Sequence, residues 1–222
     1  MSPRQSRYAK TGAPKSRRPT RLDIITSDPR ERIRIAARRL FAEHGYSGTS
    51  VRDIVAAAGV NLGAVTYYFE TKELLYTSVL GMVVLPLAHR IEGIAKIDAS
   101  PLEKIDRVVR EFFSHIRINP DMPALMMREL SAGQTPSAPI LQLISRVLPA
   151  VSGILAEGQR LGDIRPGDPA MLTFSVIAQP IHLYLARGAL AAATGLDVDD
   201  DQVLERIVTH VTQTVRRALE TR

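Results

Sequence analysis

Apolar residues recur along this chain at intervals of three and four, and no stretch alternates strictly between apolar and polar. That period marks helices buried along one face, so the chain reads as all-α. Ile33, Ala36, Ala37, Leu40 and Phe41 repeat at helical spacing behind Asp28-Pro29-Arg30-Glu31. An aspartate cap, a proline at the first helical position and an acid three residues after the cap form a strong start signal, and Gly45 is the stop. A short second helix fits Thr49 or Ser50 as cap, with Val51, Ile54, Val55 and Ala58 inward and Gly59 as its end. A third opens at Asn61 and runs to about Tyr68.

From Lys72 onward the predicted helices lengthen, to about 72–96, 101–118, 121–132, 138–161, 168–194 and 200–220. Pro101, Pro120, Pro136 with Pro139, Pro166 with Gly167, and Gly195 mark the breaks. The pattern predicts a three-helix unit over 27–75 continuous with a helical bundle over 76–222, preceded by a tail over 1–26.

Composition narrows this picture in three ways. With no cysteine, disulfides and thiolate chemistry are excluded. The longest strictly apolar run, Val79 to Ala88, is short for a membrane span and the start lacks a signal-like apolar region, so a cytoplasmic protein without membrane contact is expected. The net charge of +6 is not spread evenly: residues 1–22 hold seven basic side chains and no acid, while the other 200 hold 22 basic and 23 acidic. With Pro3, Gly12, Pro14 and Pro19 that tail reads as flexible, either a solvated leader or an arm for phosphates or a minor groove.

The densest motif is Thr49-Ser50-Val51-Arg52-Asp53-Ile54-Val55-Ala56-Ala57-Ala58-Gly59-Val60-Asn61. Two short helices joined through Ala-Gly-Val fit a helix-turn-helix, in which small residues permit close packing. Together with Leu40-Phe41, Gly45-Tyr46, Tyr67-Tyr68-Phe69 and Lys72-Glu73-Leu74, this stretch resembles the tetracycline-repressor (TetR) family of transcriptional regulators. The match covers about fifty residues as an ordered pattern; beyond Leu75 only helix number and lengths agree.

The resemblance implies a DNA-binding surface of Thr49, Arg52, Asn61, Leu62, Gly63, Ala64, Thr66, Tyr67, Tyr68 and Lys72, with Phe69 packed inward. Tyrosine hydroxyls and Lys72 suit phosphate oxygens. Arg52 is the nearby candidate for a bidentate guanine contact, and Leu62 and Ala64 suit thymine methyls. Asn61 either caps the third helix or reaches a base, and Tyr67 and Tyr68 could instead cap the small core. Asn61 stands where serine is frequent in the family and Thr66 where tyrosine is frequent, which leaves the role of Thr66 open.

In the bundle, Pro86, Pro149 and Pro180 fall inside apolar helical stretches, where proline removes a backbone hydrogen bond and can part neighbouring helices. The resemblance implies an effector cavity there. Its expected lining is Met82, Leu85, Phe112, Phe113, Met126, Phe174, Ile177 and Tyr184, with Gln179 and His182 as polar handles, although for any one of them ordinary core is the better reading. The last helix carries an apolar stripe that includes Val203, Ile207, Val211 and Val215. The resemblance implies that it and its predecessor pair with a second copy to form a homodimer, matching a two-fold operator in double-stranded DNA.

No phosphate loop, nucleophile elbow or paired metal-ligand motif occurs, and no cofactor is implied. Asp197-Val198-Asp199-Asp200-Asp201 lacks the glycine of a calcium loop and has Val208 where its glutamate would stand, so it reads as helix-capping acids. A helical enzyme using the bundle cavity lacks a nameable nucleophile and base; an architectural DNA binder driven by the tail is the other alternative.

Deletion of residues 1–22 separates leader from arm. If the arm lies along DNA, the slope of log affinity against log salt should fall by about 0.9 for each phosphate the arm neutralises, with about two to four phosphates per subunit. Salt-titrated binding of the two proteins to one duplex checks this, and an unchanged slope returns the tail to a solvated leader.

Overall fold

The computed structural model describes residues 27–131, 133 and 135–221, so the expected basic tail lies outside the described residues. Ten named helices follow in order among them: α1 (Pro29–His44), α2 (Val51–Ala58), α3 (Gly63–Phe69), α4 (Lys72–Ala95), α5 (Pro101–Ile118), α6 (Met122–Ser131), α7 (Ala138–Leu161), α8 (Pro169–Leu185), α9 (Arg187–Thr194) and α10 (Asp201–Leu219). The all-α reading holds; a single antiparallel bridge between Ile164 and Glu220 is the only β pairing among the described residues.

The helix ends follow the local chemistry. Asp28 accepts from the Arg30 N–H at 2.9 Å and Pro29 opens α1, which ends at Gly45 with φ 75°. Ser50 and Asp53 form a reciprocal capping box on α2, and Ser100 and Glu103 do the same on α5. One expected helix divides: α8 and α9 replace a single helix over 168–194 and meet at a bend of 69°. Ala186 sits at φ −89° and ψ 0° there, and the Arg187 guanidinium takes the Tyr184 carbonyl at 2.9 Å in place of a main-chain donor.

The core is a seam of aliphatic side chains shared by α4, α5, α7, α8 and α10. α4 packs most extensively on α7. By length and composition these two helices could each cross a bilayer, which corrects the expectation drawn from the longest unbroken apolar run. Here they bury their apolar faces on each other and are joined by a bidentate Arg146–Glu92 pair at 2.6 and 2.7 Å. Pro86, Pro149 and Pro180 lie inside α4, α7 and α8 without ending them.

Polar chemistry penetrates this core at His115, which is 1% exposed. Its Nε2 faces the Val83 carbonyl at 2.8 Å and must donate there, so Nδ1 is left to accept from Arg90. Burial holds the imidazole below the usual histidine range, with the neighbouring Arg90 charge acting the same way. The unfolded chain therefore binds a proton that the folded chain refuses. Stability contributed by the neutral ring is full above about pH 6.5 and is lost as pH falls below it. Urea denaturation at pH 7.5 and 5.5 should show lower stability at the acidic value, and His115→Gln should flatten that difference.

Candidate functional site

The N-terminal helices assemble around α1. Its buried residues Ile33, Ala36, Ala37, Leu40 and Phe41 meet Ile54, Val55 and Ala58 of α2, Val65 and Phe69 of α3, and Leu75 and Tyr76 of α4. The α2–α3 turn is set by Gly59 at φ 62°, a left-handed value, and a Cβ there would come within 2.7 Å of Arg32 Nη2. That guanidinium donates to the carbonyls of Ala58 and Gly59, closing the C-terminal end of α2.

At the far end of α3 the chain turns at Glu70, with φ 62° and ψ −55°, and the Thr71 N–H reaches the Phe69 carbonyl at 2.6 Å. This is a positive-φ γ-turn, a strained form worth about 1–3 kcal/mol, and Glu70 is the one non-glycine residue with positive φ among the described residues. It sets α3 directly against the start of α4. Phe69 is buried as expected, with the Arg30 guanidinium 5.7 Å from its ring centre.

Six of the expected DNA-facing residues are exposed: Arg52, Asn61, Leu62, Gly63, Thr66 and Tyr67, the last by 81%. Ala64 and Tyr68 are half-buried, and Tyr68 packs edge-to-face on Tyr67 at 4.8 Å. Arg52 has no ion pair or hydrogen bond among the described residues. Asn61 does not use its side chain to cap α3, which has no side-chain cap; its carbonyl accepts from Ala64 at 3.1 Å. Asn61, Gly63, Ala64, Tyr67 and Tyr68 line one cleft of about 580 Å³ with Pro29 and Arg32.

Thr49 must be reassigned. It is 2% exposed, and its hydroxyl donates towards the carbonyls of Gly45 at 2.8 Å and Leu40 at 3.1 Å. Its role is to brace the α1–α2 corner, because a hydroxyl committed to two internal carbonyls is not free for phosphate. Lys72 also has an internal partner: its ammonium donates to the Tyr46 carbonyl at 2.5 Å and lies 4.1 Å from the centre of that ring. Two further ammonium protons remain for another acceptor.

Tyr46, Arg38 and Arg128 join the site although no sequence motif marks a role for them. Tyr46 joins Phe41 and Tyr76 in an aromatic cluster with centroid separations of 4.9–6.1 Å. Arg128 of α6 donates to the Phe41 carbonyl at 3.2 Å and the Glu43 carbonyl at 3.4 Å. Arg38 of α1 grips the Asp121 carboxylate through two nitrogens and reaches Asn119 Oδ1 at 3.1 Å. These partners lie about 80 residues apart, so no local spacing signals them.

The expected effector lining does not converge on one cavity. Phe112, Phe113, Met126 and Tyr184 are buried core, Met82, Leu85 and Ile177 are half-buried, and Phe174 is 51% exposed. Only Gln179 and His182 meet at a large cavity, an open groove of about 780 Å³ between α8, α9 and α10. Val203, Ile207 and Val211 of the expected pairing stripe line the same groove. Val211 and Val215 are buried within the protomer, because the stripe is wide enough to seal α10 on its own bundle.

Residues 33–79 match the family model described as bacterial regulatory proteins, tetR family, and residues 101–215 match the model of the tetracyclin repressor-like C-terminal domain. The HTH-type transcriptional regulator RutR of Escherichia coli (strain K12) is 26% identical over 201 residues, covering 88% of this chain and 92% of that one. Two solved structures share the fold. The ketosteroid transcriptional regulator KstR2 of Mycobacterium tuberculosis has a TM-score of 0.72 at 19% identity, covering 88% of this chain and 96% of its own. The transcriptional regulator FadR from Bacillus subtilis, solved in complex with stearoyl-CoA, has a TM-score of 0.65 at 22% identity, covering 84% and 97%.

Thr49 and Arg52 should separate cleanly. Thr49→Val removes the one hydroxyl proton shared between the Gly45 and Leu40 carbonyls and should lower stability by about 1–3 kcal/mol, measured by urea denaturation, while leaving base preference unchanged. Arg52→Ala should leave stability within about 0.5 kcal/mol and cost about 1–3 kcal/mol of discrimination at one base pair per half-site, measured across a panel of single-substitution duplexes.

Proposed function

This chain belongs to the tetR family of bacterial regulatory proteins, DNA-binding transcriptional regulators, and from that premise we propose a ligand-responsive repressor that binds a palindromic operator as a homodimer. The helix-turn-helix unit is taken as 27–75, with ligand binding and dimerisation in 76–222, and the protein acts in the cytoplasm on double-stranded DNA. The observation that carries the reading is the reading head itself. Arg52, Asn61, Leu62, Gly63, Thr66 and Tyr67 stand exposed on a backbone held by Arg32, Thr49, Gly59 and the γ-turn at Glu70. A presented surface on a fixed frame is what groove reading needs, since misplacement of a base-contacting side chain loses its hydrogen-bond geometry.

Tyr67, Tyr68 and Lys72 are assigned to the phosphate backbone, Arg52 to a base edge, and Leu62 and Ala64 to thymine methyls. Asn61, whose side chain makes no cap, is assigned to a base. The effector is a small, largely apolar molecule in the C-terminal bundle, a class supported by the apolar walls of the α8–α10 groove.

The partner face is read from what α8 leaves uncovered. Met171 is 64% exposed, Phe174 51% and Leu185 39%, and with Ala178 and His182 they form one helical stripe free of charged side chains. The half-buried Val203 and Ile207 of α10 extend it. An exposed apolar stripe of this kind suits a self-complementary two-fold contact. Phe174 therefore passes from the cavity lining to the partner face.

Phe174→Asp should weaken self-association by at least about tenfold, or about 1.4 kcal/mol, by placing a charge in a desolvated contact. Sedimentation at micromolar concentration reads the effect, and affinity for a duplex with two half-sites should fall with it while a single half-site is bound as before. A monomer with intact dyad-specific binding would sink the dimer reading.

A further inference from the structure

The geometry points to Tyr46 as the residue that positions Lys72 for the DNA backbone, its carbonyl and ring together holding the ammonium that meets a phosphate. This role rests on the phosphate assignment of Lys72 made above and adds the means by which a flexible side chain keeps one place.

Both halves of Tyr46 act on the same nitrogen. Lys72 is the first residue of α4 and forms no ion pair among the described residues. Its ammonium donates to the Tyr46 carbonyl at 2.5 Å and lies over the Tyr46 ring, 4.1 Å from its centre. The negative face of an aromatic ring attracts a cation at that distance. An ammonium has three donors and the carbonyl takes one, so the group is steadied without being used up.

Tyr46 can hold Lys72 because it is itself held. Its carbonyl also accepts the Thr49 N–H at 3.4 Å, and its ring lies 5.1 Å from Tyr76 and 6.1 Å from Phe41. Tyr76 stands one helical turn after Lys72, so the two share a face of α4 and Tyr46 packs across both. The Tyr76 hydroxyl is in turn hydrogen-bonded to Glu129 of α6. Phe41 and Tyr76 are buried, whereas Tyr46 is 38% exposed, and core packing therefore does not account for the whole ring. The corner between α1 and α2 thus fixes a side chain on α4 as well as the helices it joins.

A lysine carries its charge on a flexible aliphatic stem, and ordering that stem on binding opposes affinity. Lys72, steadied before DNA arrives, is spared much of that cost. Arg52, Thr66 and Tyr67 stand exposed on the neighbouring helices of the same reading head, which makes a DNA phosphate the anion in reach.

Affinity across a salt series tests this with the full chain and the duplex it selects from a random-sequence pool, beside a scrambled duplex of equal length. Lys72→Gln should lower the slope of log affinity against log salt by about 0.9 per subunit. Tyr46→Leu should weaken binding about two- to tenfold per subunit, the range for ordering one long side chain, and equally on both duplexes because a phosphate carries no sequence. In the Lys72→Gln background Tyr46→Leu should change nothing further, whereas a purely structural ring would weaken both backgrounds alike. Tyr46→Phe keeps the ring and the carbonyl and should restore wild-type affinity. If Tyr46→Leu does not fold, pentafluorophenylalanine at position 46 keeps the packing while removing the negative ring face, and the same losses are expected of it. Additive losses in the double variant, an unaffected Tyr46→Leu, or a Tyr46→Phe as weak as Tyr46→Leu would each overturn the role of Tyr46. An unchanged salt slope in Lys72→Gln strikes the phosphate assignment and this role with it, while a failure of Tyr46 alone leaves that assignment standing.

Discussion

One helix carries the core from the reading head into the bundle, and the rest of the arrangement follows from that constraint. The first turns of α4 place Leu75 and Tyr76 among the buried residues of the reading head, with Tyr76 edge-to-face on Phe41 at 4.9 Å. Its later turns bury Val83, Val84, Leu87, Ala88 and Ile91 in the bundle. A hydrogen-bonded helix transmits orientation along its length, so packing at one end sets the direction of the other. Pro86 removes one donor from that ladder and leaves the Met82 carbonyl without its usual main-chain partner, yet its ring lies on the exposed side where the buried face is unaffected.

Side chains then fasten the two ends of this spine. Arg128 holds carbonyls at the C-terminal end of α1, and Arg38 returns the contact to Asp121 and Asn119 at the α5–α6 corner. α6 carries Arg128 on one side and the buried Met122, Leu125 and Met126 on the other. The reading head and the bundle core therefore meet on one short helix. His115 lies close by: the Asn119 side chain donates to its carbonyl at 3.0 Å while Arg90 occupies its ring nitrogen. Polar groups in this seam are paired, as partly buried charges require.

Electrostatic pairing also distinguishes the two candidate surfaces. Glu205, Asp201, Asp199 and Glu220 in the α10 region face Arg110, Arg117, Arg187 and Arg216, and Arg206 has no carboxylate partner among the described residues. On the reading head Arg52 is equally free, whereas Lys72 is steadied by the carbonyl and ring of Tyr46.

Period and caps were enough, read along the chain, to determine the all-α class, the three N-terminal helices and their stops at Gly45 and Gly59, while the burial of Phe69 came with the family resemblance. These depend on interactions within four residues, such as the Asp28 and Ser50 caps, and a linear reading captures them. The family pattern across residues 40–75 was legible for the same reason, since its motif is contiguous. Side-chain partners that the local pattern does not announce were not. Thr49 looked like a surface hydroxyl until the α1–α2 corner brought the Leu40 and Gly45 carbonyls over it, and nothing near Arg38 in the chain signals its partner Asp121, 83 residues away. Phe112, Phe113, Met126 and Tyr184 share the apolar character of cavity-lining residues, yet the structure packs them as core and sends Phe174 to the surface. An apolar side chain reads the same whether it lines a void, fills a core or awaits a partner, and only the packing of whole helices distinguishes the three.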